Sequence, residues 1–330
     1  MKQFLQKKAK LVFLCMLVLL TCTACANPRG RDGKTLADQI IASEETTIDA
    51  SKINYKDISD KKLKKEIKKN IKDGQYTIQP TTFKNSMSKG WFEGLIVWPI
   101  AQIINLISSK TDAGVGIILT TLLIQMLVFV FTRKSQMSTQ RMQEIQPEIQ
   151  KIQNKYKDKT DERSKMQMAQ EMQNIYQKYD IHPFGSMIIT FIQLPIMMGM
   201  YYATMRSVSV VSGSFMGISL AGTPLDGFKA FDIAYISIYV LMVIFYIVSM
   251  KLPQWLKKWQ DKKDNVKVKK YAQEETNPMA NSMNMSMYFM TAMICIMYIS
   301  WPMAMSFYWL VSSVIRVCQS LILHQVMNKK

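Results

Sequence analysis

The sequence predicts an all-α integral membrane protein: a five-helix transmembrane bundle with a cytoplasmic helical hairpin and an outer interfacial amphipathic helix. Three observations predict it. Apolar residues make up 48% of the 330, and they gather into runs about as long as one bilayer crossing, roughly 20 residues. Lysine and arginine gather between those runs, in alternate connections. The long polar connection after the first span repeats its apolar residues at helical spacing.

Residues 1–24 read as a lipoprotein signal peptide. Lys2, Lys7, Lys8 and Lys10 form a basic start, Leu11 to Leu20 an apolar core, and Thr21-Cys22-Thr23-Ala24 a small-residue approach to Cys25. That core is too short for a stable span. The small residues before Cys25 resemble a lipobox, in which the cysteine thiol receives diacylglycerol before cleavage; a plain signal peptide or an uncleaved anchor is the other reading. Either removable form places the mature N-terminus outside the cytoplasm.

Residues 25–89 are polar, lysine-rich and poor in apolar periodicity, and they read as an extracytoplasmic spacer with a charged helix near Asp57 to Lys72. Residues 90–109 are apolar but carry Glu93 and Pro99, with Trp91 and Trp98 among them. That combination suits a helix lying along the outer interface better than a crossing.

Spans follow at 114–132, 185–206, 231–250, 282–299 and 303–324, the last two separated by Ser300-Trp301-Pro302. Arg133 to Asp180 and Lys251 to Lys270 are strongly basic, whereas residues 207–230 hold only Lys229. The positive-inside rule puts the hairpin (133–184) and the basic loop (251–281) in the cytoplasm, the 207–230 loop outside, and the short tail (325–330) inside.

In the hairpin, Ile145, Ile149 and Ile152 face Met168, Met172, Ile175 and Tyr179 as two apolar stripes, with a break at Lys157 to Asp161. Five cysteines show no metal-ligand spacing and His182 and His324 are the two histidines, so neither a metal site nor a cofactor is expected. The net charge of +18 attracts anionic lipid headgroups or the ribosome; no specific nucleic acid is implied. The 27 methionines suit either an adaptable substrate surface or simple bundle packing.

The wording of several segments is more specific. Met142-Gln143-Glu144-Ile145-Gln146-Pro147-Glu148-Ile149 with Lys155-Tyr156, then Tyr176-Gln177-Lys178-Tyr179-Asp180-Ile181-His182-Pro183, Phe191-Ile192-Gln193-Leu194-Pro195, Tyr201-Tyr202-Ala203 and finally Pro302 with Phe307-Tyr308-Trp309 stand in this order. They resemble the YidC membrane-protein insertase family, in its Gram-positive lipoprotein form, over roughly Trp91 to Lys330. The resemblance implies a polar groove inside the bundle, open to the cytoplasm and to lipid. The hydrophilic part of a newly made membrane protein would enter it, with no bond chemistry. Nascent membrane proteins in the lipid bilayer are then the partners, with the Sec translocon and the ribosome as further candidates. Tail-mediated ribosome docking is not expected, because the residues after the last span are few.

One departure stands out. Members of that family carry an arginine in the first span, where this chain has Gln125, and the last span here holds Arg316 instead. A charge at mid-membrane costs about 2.5–3.5 kcal/mol on insertion scales unless it faces a cavity or a partner. Gln125 and Arg316 each lie about 12 Å from the cytoplasmic end of their span at 1.5 Å per residue. Tyr308, Ser312 and Arg316 share one helix face. The expected groove residues are therefore Gln125, Arg316, Thr121, Gln193, Tyr308, Trp309 and Ser312, with the positive charge moved from the first span to the fifth; the other reading has Arg316 snorkelling to the headgroups.

Other classes remain. A transporter component predicts inverted repeats or broken-helix pairs, and no convincing repeat appears. An intramembrane enzyme needs a constellation such as H-E-x-x-H or G-x-S-x-G, which is missing. A scaffolding paralogue that no longer inserts fits the loss of arginine at 125.

Overall fold

The computed structural model describes residues 28–157, 159, 161–181, 185–263, 289 and 291–328. Residues 1–24, Cys25, the 264–281 part of the basic loop, and residues 282–288 and 290 of the predicted fourth span lie outside the described residues.

The chain is mostly helical. Helices are α1 (Lys61–Asn70), α2 (Phe83–Lys89), α3 (Trp98–Ser108, entered through a π-turn at Glu93–Val97), α4 (Ala113–Glu144), α5 (Gln146–Lys155), α6 (Glu162–Lys178), α7 (Gly185–Arg206), α8 (Val208–Ser212), α9 (Pro224–Ala230), α10 (Ile233–Lys263) and α11 (Met303–Asn328). Residues 291–298 are helical as well. Among the described residues, three helices are long and apolar enough to cross a membrane: Ala113–Met142, Ile233–Gln260 and Met303–Val326.

α11 packs along α10 and α4, while α3 lies against α4 and α7. Their shared core includes Ile104, Ile117, Met200, Met242, Met305 and Tyr308, all buried. Pro99 stands at the start of α3, just past the π-turn whose last bond runs from the Trp98 N–H to the Glu93 carbonyl. Asp112 caps α4 by accepting from the Gly114 N–H at 2.8 Å. Gly116 is required where α3 meets α4: a Cβ there would stand 2.9 Å from the Ile104 carbonyl oxygen and 2.1 Å from Ser108 Oγ.

α4 does not stop at the edge of the predicted first span. It continues without interruption to Glu144, so the start of the hairpin is the same helix as the membrane segment. The chain then turns at Ile145, and α6 returns so that Ile145, Ile149 and Ile181 bury against Met172 and Ile175. Lys155 and Tyr156 both donate to Glu171, at 2.6 and 2.9 Å.

Residues 28–89 are not a solvated spacer. They form a folded unit: strands β2 (Thr46–Asp49), β5 (Gln75–Ile78) and β4 (Ile71–Lys72) make an antiparallel sheet in that order. Strands β1 (Thr35–Leu36) and β3 (Ile53–Asn54) pair in parallel. The β4–β5 turn is Asp73-Gly74, both at positive φ (50° and 74°), as a two-residue hairpin of matching twist demands. α1 is the charged helix, capped by Asp60, and buries Ile67 against the sheet. The spacer expectation fails because strands, loops and α1 each contribute single isoleucines to one core: Ile48, Ile53 and Ile78 from strands, Ile40 and Ile58 from loops and Ile67 from α1. Such spacing leaves no periodic signal.

Three other boundaries move. The 207–230 loop is structured, with α8, a β6–β7 hairpin (Ser214–Phe215, Ile218–Ser219) and α9, which closes with a Thr223–Asp226 capping box. The basic loop expected from residue 251 begins as helix, since α10 runs to Lys263. α11 likewise extends through the predicted tail to Asn328.

Candidate functional site: a polar cavity between α4, α7, α10 and α11

A cavity of about 220 Å³ opens between four helices, lined by Gln125, Gln136, Thr139 and Gln140 of α4, Gln193 of α7, Ser249 of α10, and Arg316, Gln319 and Ser320 of α11, with Val128, Ile189, Pro253 and Leu323 among them. Apart from Arg316, the polar lining is amides and hydroxyls. None of these residues is acidic.

Two hydrogen bonds close the inner end of the cavity. Gln125 Nε2 donates to Ser312 Oγ at 3.1 Å, and Gln193 Nε2 donates to the Tyr308 hydroxyl at 3.0 Å. Tyr308 and Ser312 are fully buried and Gln125 nearly so. Helical spacing explains the arrangement, since residues 308, 312 and 316 follow one another along α11 and each meets a different neighbour. A buried amide without a partner costs about 1–3 kcal/mol, so each pair fixes the spacing of two helices.

Arg316 is held by aromatic rings. Its guanidinium carbon lies 5.6 Å from the Trp309 ring centre and 5.9 Å from that of Tyr246. Nη2 donates to Ser313 Oγ at 3.4 Å, while Nε is buried without a hydrogen-bond partner. Tyr298 stacks on Trp309 at 4.9 Å and backs this box. Among the described ion pairs, none involves Arg316. A cation on two ring faces retains donors for an incoming acceptor.

Gln125, Gln193 and Arg316 are thus brought together in the cavity wall, while Tyr308 and Ser312 do not line it and stand behind it, bonded to Gln193 and Gln125. Thr121 is buried, but its hydroxyl donates to the Ile117 carbonyl one turn back at 2.7 Å, and it does not line the cavity. Trp309 serves as a face of the arginine box rather than as cavity lining. Sequence reasoning missed Gln136, Gln140, Gln319 and Ser320. Their signal was available: Arg316, Gln319, Ser320 and Leu323 recur at the spacing of one helix face.

Buried polar contacts join the elements at the other end of the bundle. Arg206, ending α7, is ion-paired with Glu93, their side chains 5% and 13% exposed. Arg206 Nε also donates to the Gln39 carbonyl at 2.7 Å. Asn105 of α3 donates to the Ile41 carbonyl at 2.8 Å and accepts from Ser207 and from the Ser209 N–H. Nearby Lys89 donates to the Asp38 carbonyl at 2.9 Å, and burial pulls its ammonium below the usual lysine range.

Comparison with known proteins agrees with this architecture. The family model described as 60Kd inner membrane protein matches residues 105–330, leaving the folded unit at 28–89 ahead of the matched region. The chain is 30% identical over 237 residues to membrane protein insertase YidC 1 of Streptococcus pyogenes serotype M6, covering 72% of this chain and 75% of that one. It is 30% identical over 237 residues to membrane protein insertase YidC of Enterococcus faecalis, at 72% and 76% coverage. Membrane protein insertase MisCA of Bacillus subtilis is 27% identical over 238 residues, at 72% and 80%. With its family model matched over residues 105–330, more than half of its length, this chain belongs to the 60Kd inner membrane protein family.

Proposed function

We propose that this chain is a membrane-protein insertase of the plasma membrane that accepts hydrophilic segments of its substrates in the cavity between α4, α7, α10 and α11. Membership of the family and the insertase names of its relatives support the activity. The observation that carries the site is Arg316: a cation inside the bundle, lining a polar cavity whose other lining residues are uncharged. In this reading the groove charge has moved from position 125 to position 316. Gln125 and Arg316 line the same cavity, which supports the exchange. The physical gain is a shortened apolar path, because each polar group carried through hydrocarbon costs several kcal/mol.

The same proposal includes the finer topology: five spans, Cys25 lipidated outside, the hairpin inside and newly made membrane proteins as clients, the Sec translocon and ribosome being further partners to test. No bond is made or broken. The experiment is complementation of an insertase-depleted bacterium with this chain and with Arg316→Ala, scored by insertion of a single-span reporter. Rescue by the native chain alone supports activity and site together. Rescue by both keeps the activity and removes Arg316 from it. Rescue by neither, with expression verified, favours a scaffold that no longer inserts.

A further inference from the structure

α10 presents one face along its whole length. At 3.6 residues per turn, Ile233, Val240, Leu241, Ile244 and Ile247 fall within an arc of about 120°, and all five are exposed. In a membrane-crossing helix such a stripe meets lipid chains. The same arc continues, without change of register, through Lys251, Trp255, Lys258, Trp259 and Lys262. Trp255 and Trp259 are 50% and 61% exposed, Lys258 and Lys262 are exposed beside them, and the Lys263 ammonium rests 5.6 Å from the centre of the Trp259 ring.

The change of chemistry has a definite level in the fold. Ser249 and Pro253 line the same cavity as Gln319 and Leu323 near the end of α11 and as Gln136 and Thr139 of α4. The aliphatic stripe therefore ends at the level of this polar cavity, and the Trp/Lys stripe follows at once. Indole rings are favoured at the boundary between hydrocarbon and water, and ammonium groups there are attracted to anionic headgroups by about 1 kcal/mol each.

We propose that the face of α10 formed by Trp255, Lys258, Trp259 and Lys262 is a docking surface for anionic phospholipid headgroups. Continuity with the lipid-facing stripe selects lipid over a soluble polyanion: the lipids whose chains lie on Ile244 and Ile247 have their phosphates beside Lys258 and Lys262. The tryptophans hold the glycerol level and the lysines choose the headgroup charge.

The test uses the full chain in nanodiscs, with spin-labelled phosphatidylglycerol and spin-labelled phosphatidylcholine as probes of the immobilised lipid shell. The native protein is expected to prefer phosphatidylglycerol. Lys258→Gln with Lys262→Gln should reduce that preference by about fivefold or more, from the attraction of each basic residue, while Lys258→Arg with Lys262→Arg keeps it. Trp255→Leu with Trp259→Leu should weaken retention of both lipids. These positions are exposed, and an unchanged thermal transition verifies the fold of each variant. Equal preference in the native and glutamine variants overturns the proposal. So does a glutamine variant that keeps its lipid preference and loses binding to a ribosomal RNA fragment.

Discussion

Gln125 on α4 and Ser312 on α11, 187 residues apart in the chain, meet through a 3.1 Å hydrogen bond, one helical turn from Arg316. The amide at position 125 is thus engaged with the helix that carries Arg316. The neutral amide at 125 and the cation at 316 line one polar cavity together with Gln193, whose own amide donates to Tyr308.

That shared cavity predicts the outcome of exchanging the pair. Arg316→Gln should lower reporter insertion by about tenfold or more, the loss of a charged hydrogen bond being worth roughly 1.5–3 kcal/mol. Adding Gln125→Arg to that variant should recover most of the activity. If the double variant is as poor as the single one, position 316 matters for its aromatic box rather than for the depth of its charge.

The Glu93–Arg206 ion pair predicts a strong asymmetry. Glu93→Leu alone leaves Arg206 buried and uncompensated and should cost about 3–5 kcal/mol, whereas Glu93→Leu with Arg206→Met should recover much of this. Thermal unfolding in detergent gives the comparison. Equal losses in single and double variants would show that Arg206 acts chiefly through its bond to the Gln39 carbonyl.

Acid should loosen the 28–89 unit in a defined direction. The Asp57 carboxylate accepts from the Arg31 N–H and from Asn54 Nδ2, each at 2.8 Å, and these bonds hold its pKa below the ordinary carboxylate range. Its folded pKa lies below the unfolded one, near 3.9. Its contribution to stability is therefore complete above that value and vanishes as pH falls through the folded pKa. Hydrogen exchange across residues 28–89 should speed up below about pH 4, and Asp57→Asn should flatten that dependence.

Gly116→Ala tests the packing of α3 on α4. The new methyl group meets a backbone carbonyl oxygen at 2.9 Å, which only a shift of α3 can relieve. A destabilisation of about 1–3 kcal/mol is expected, seen as a lower melting temperature; an unchanged one would mean that α3 yields easily.

The membrane helices were legible because hydrophobicity is a local quantity: the starts of α4, α10 and α11 fall within two residues of the expected spans. The hairpin was legible for the same reason, through stripes at Ile145 and Ile149. Arg316 was visible as a charge in an apolar run. Its aromatic box was not, because Tyr246 arrives from α10, far along the chain, and Tyr298 reaches Trp309 only through the turn before α11. Glu93 read as the polar side of an interfacial helix, since its partner Arg206 lies 113 residues away. The 28–89 unit escaped because its strands are two to four residues long and its isoleucines are brought together by turns.

The core of that early unit also contains Val208 and Val211 of α8, and Ile41 bridges to Ser207. During synthesis, residues 28–89 emerge long before residue 208 exists. The unit then holds an open apolar seat with its backbone partner missing, and it gains both only after α7 and α8 have been made. The last step of its folding is therefore set by a segment made much later, so that the start of the chain completes its core only when the chain beyond α7 is in place.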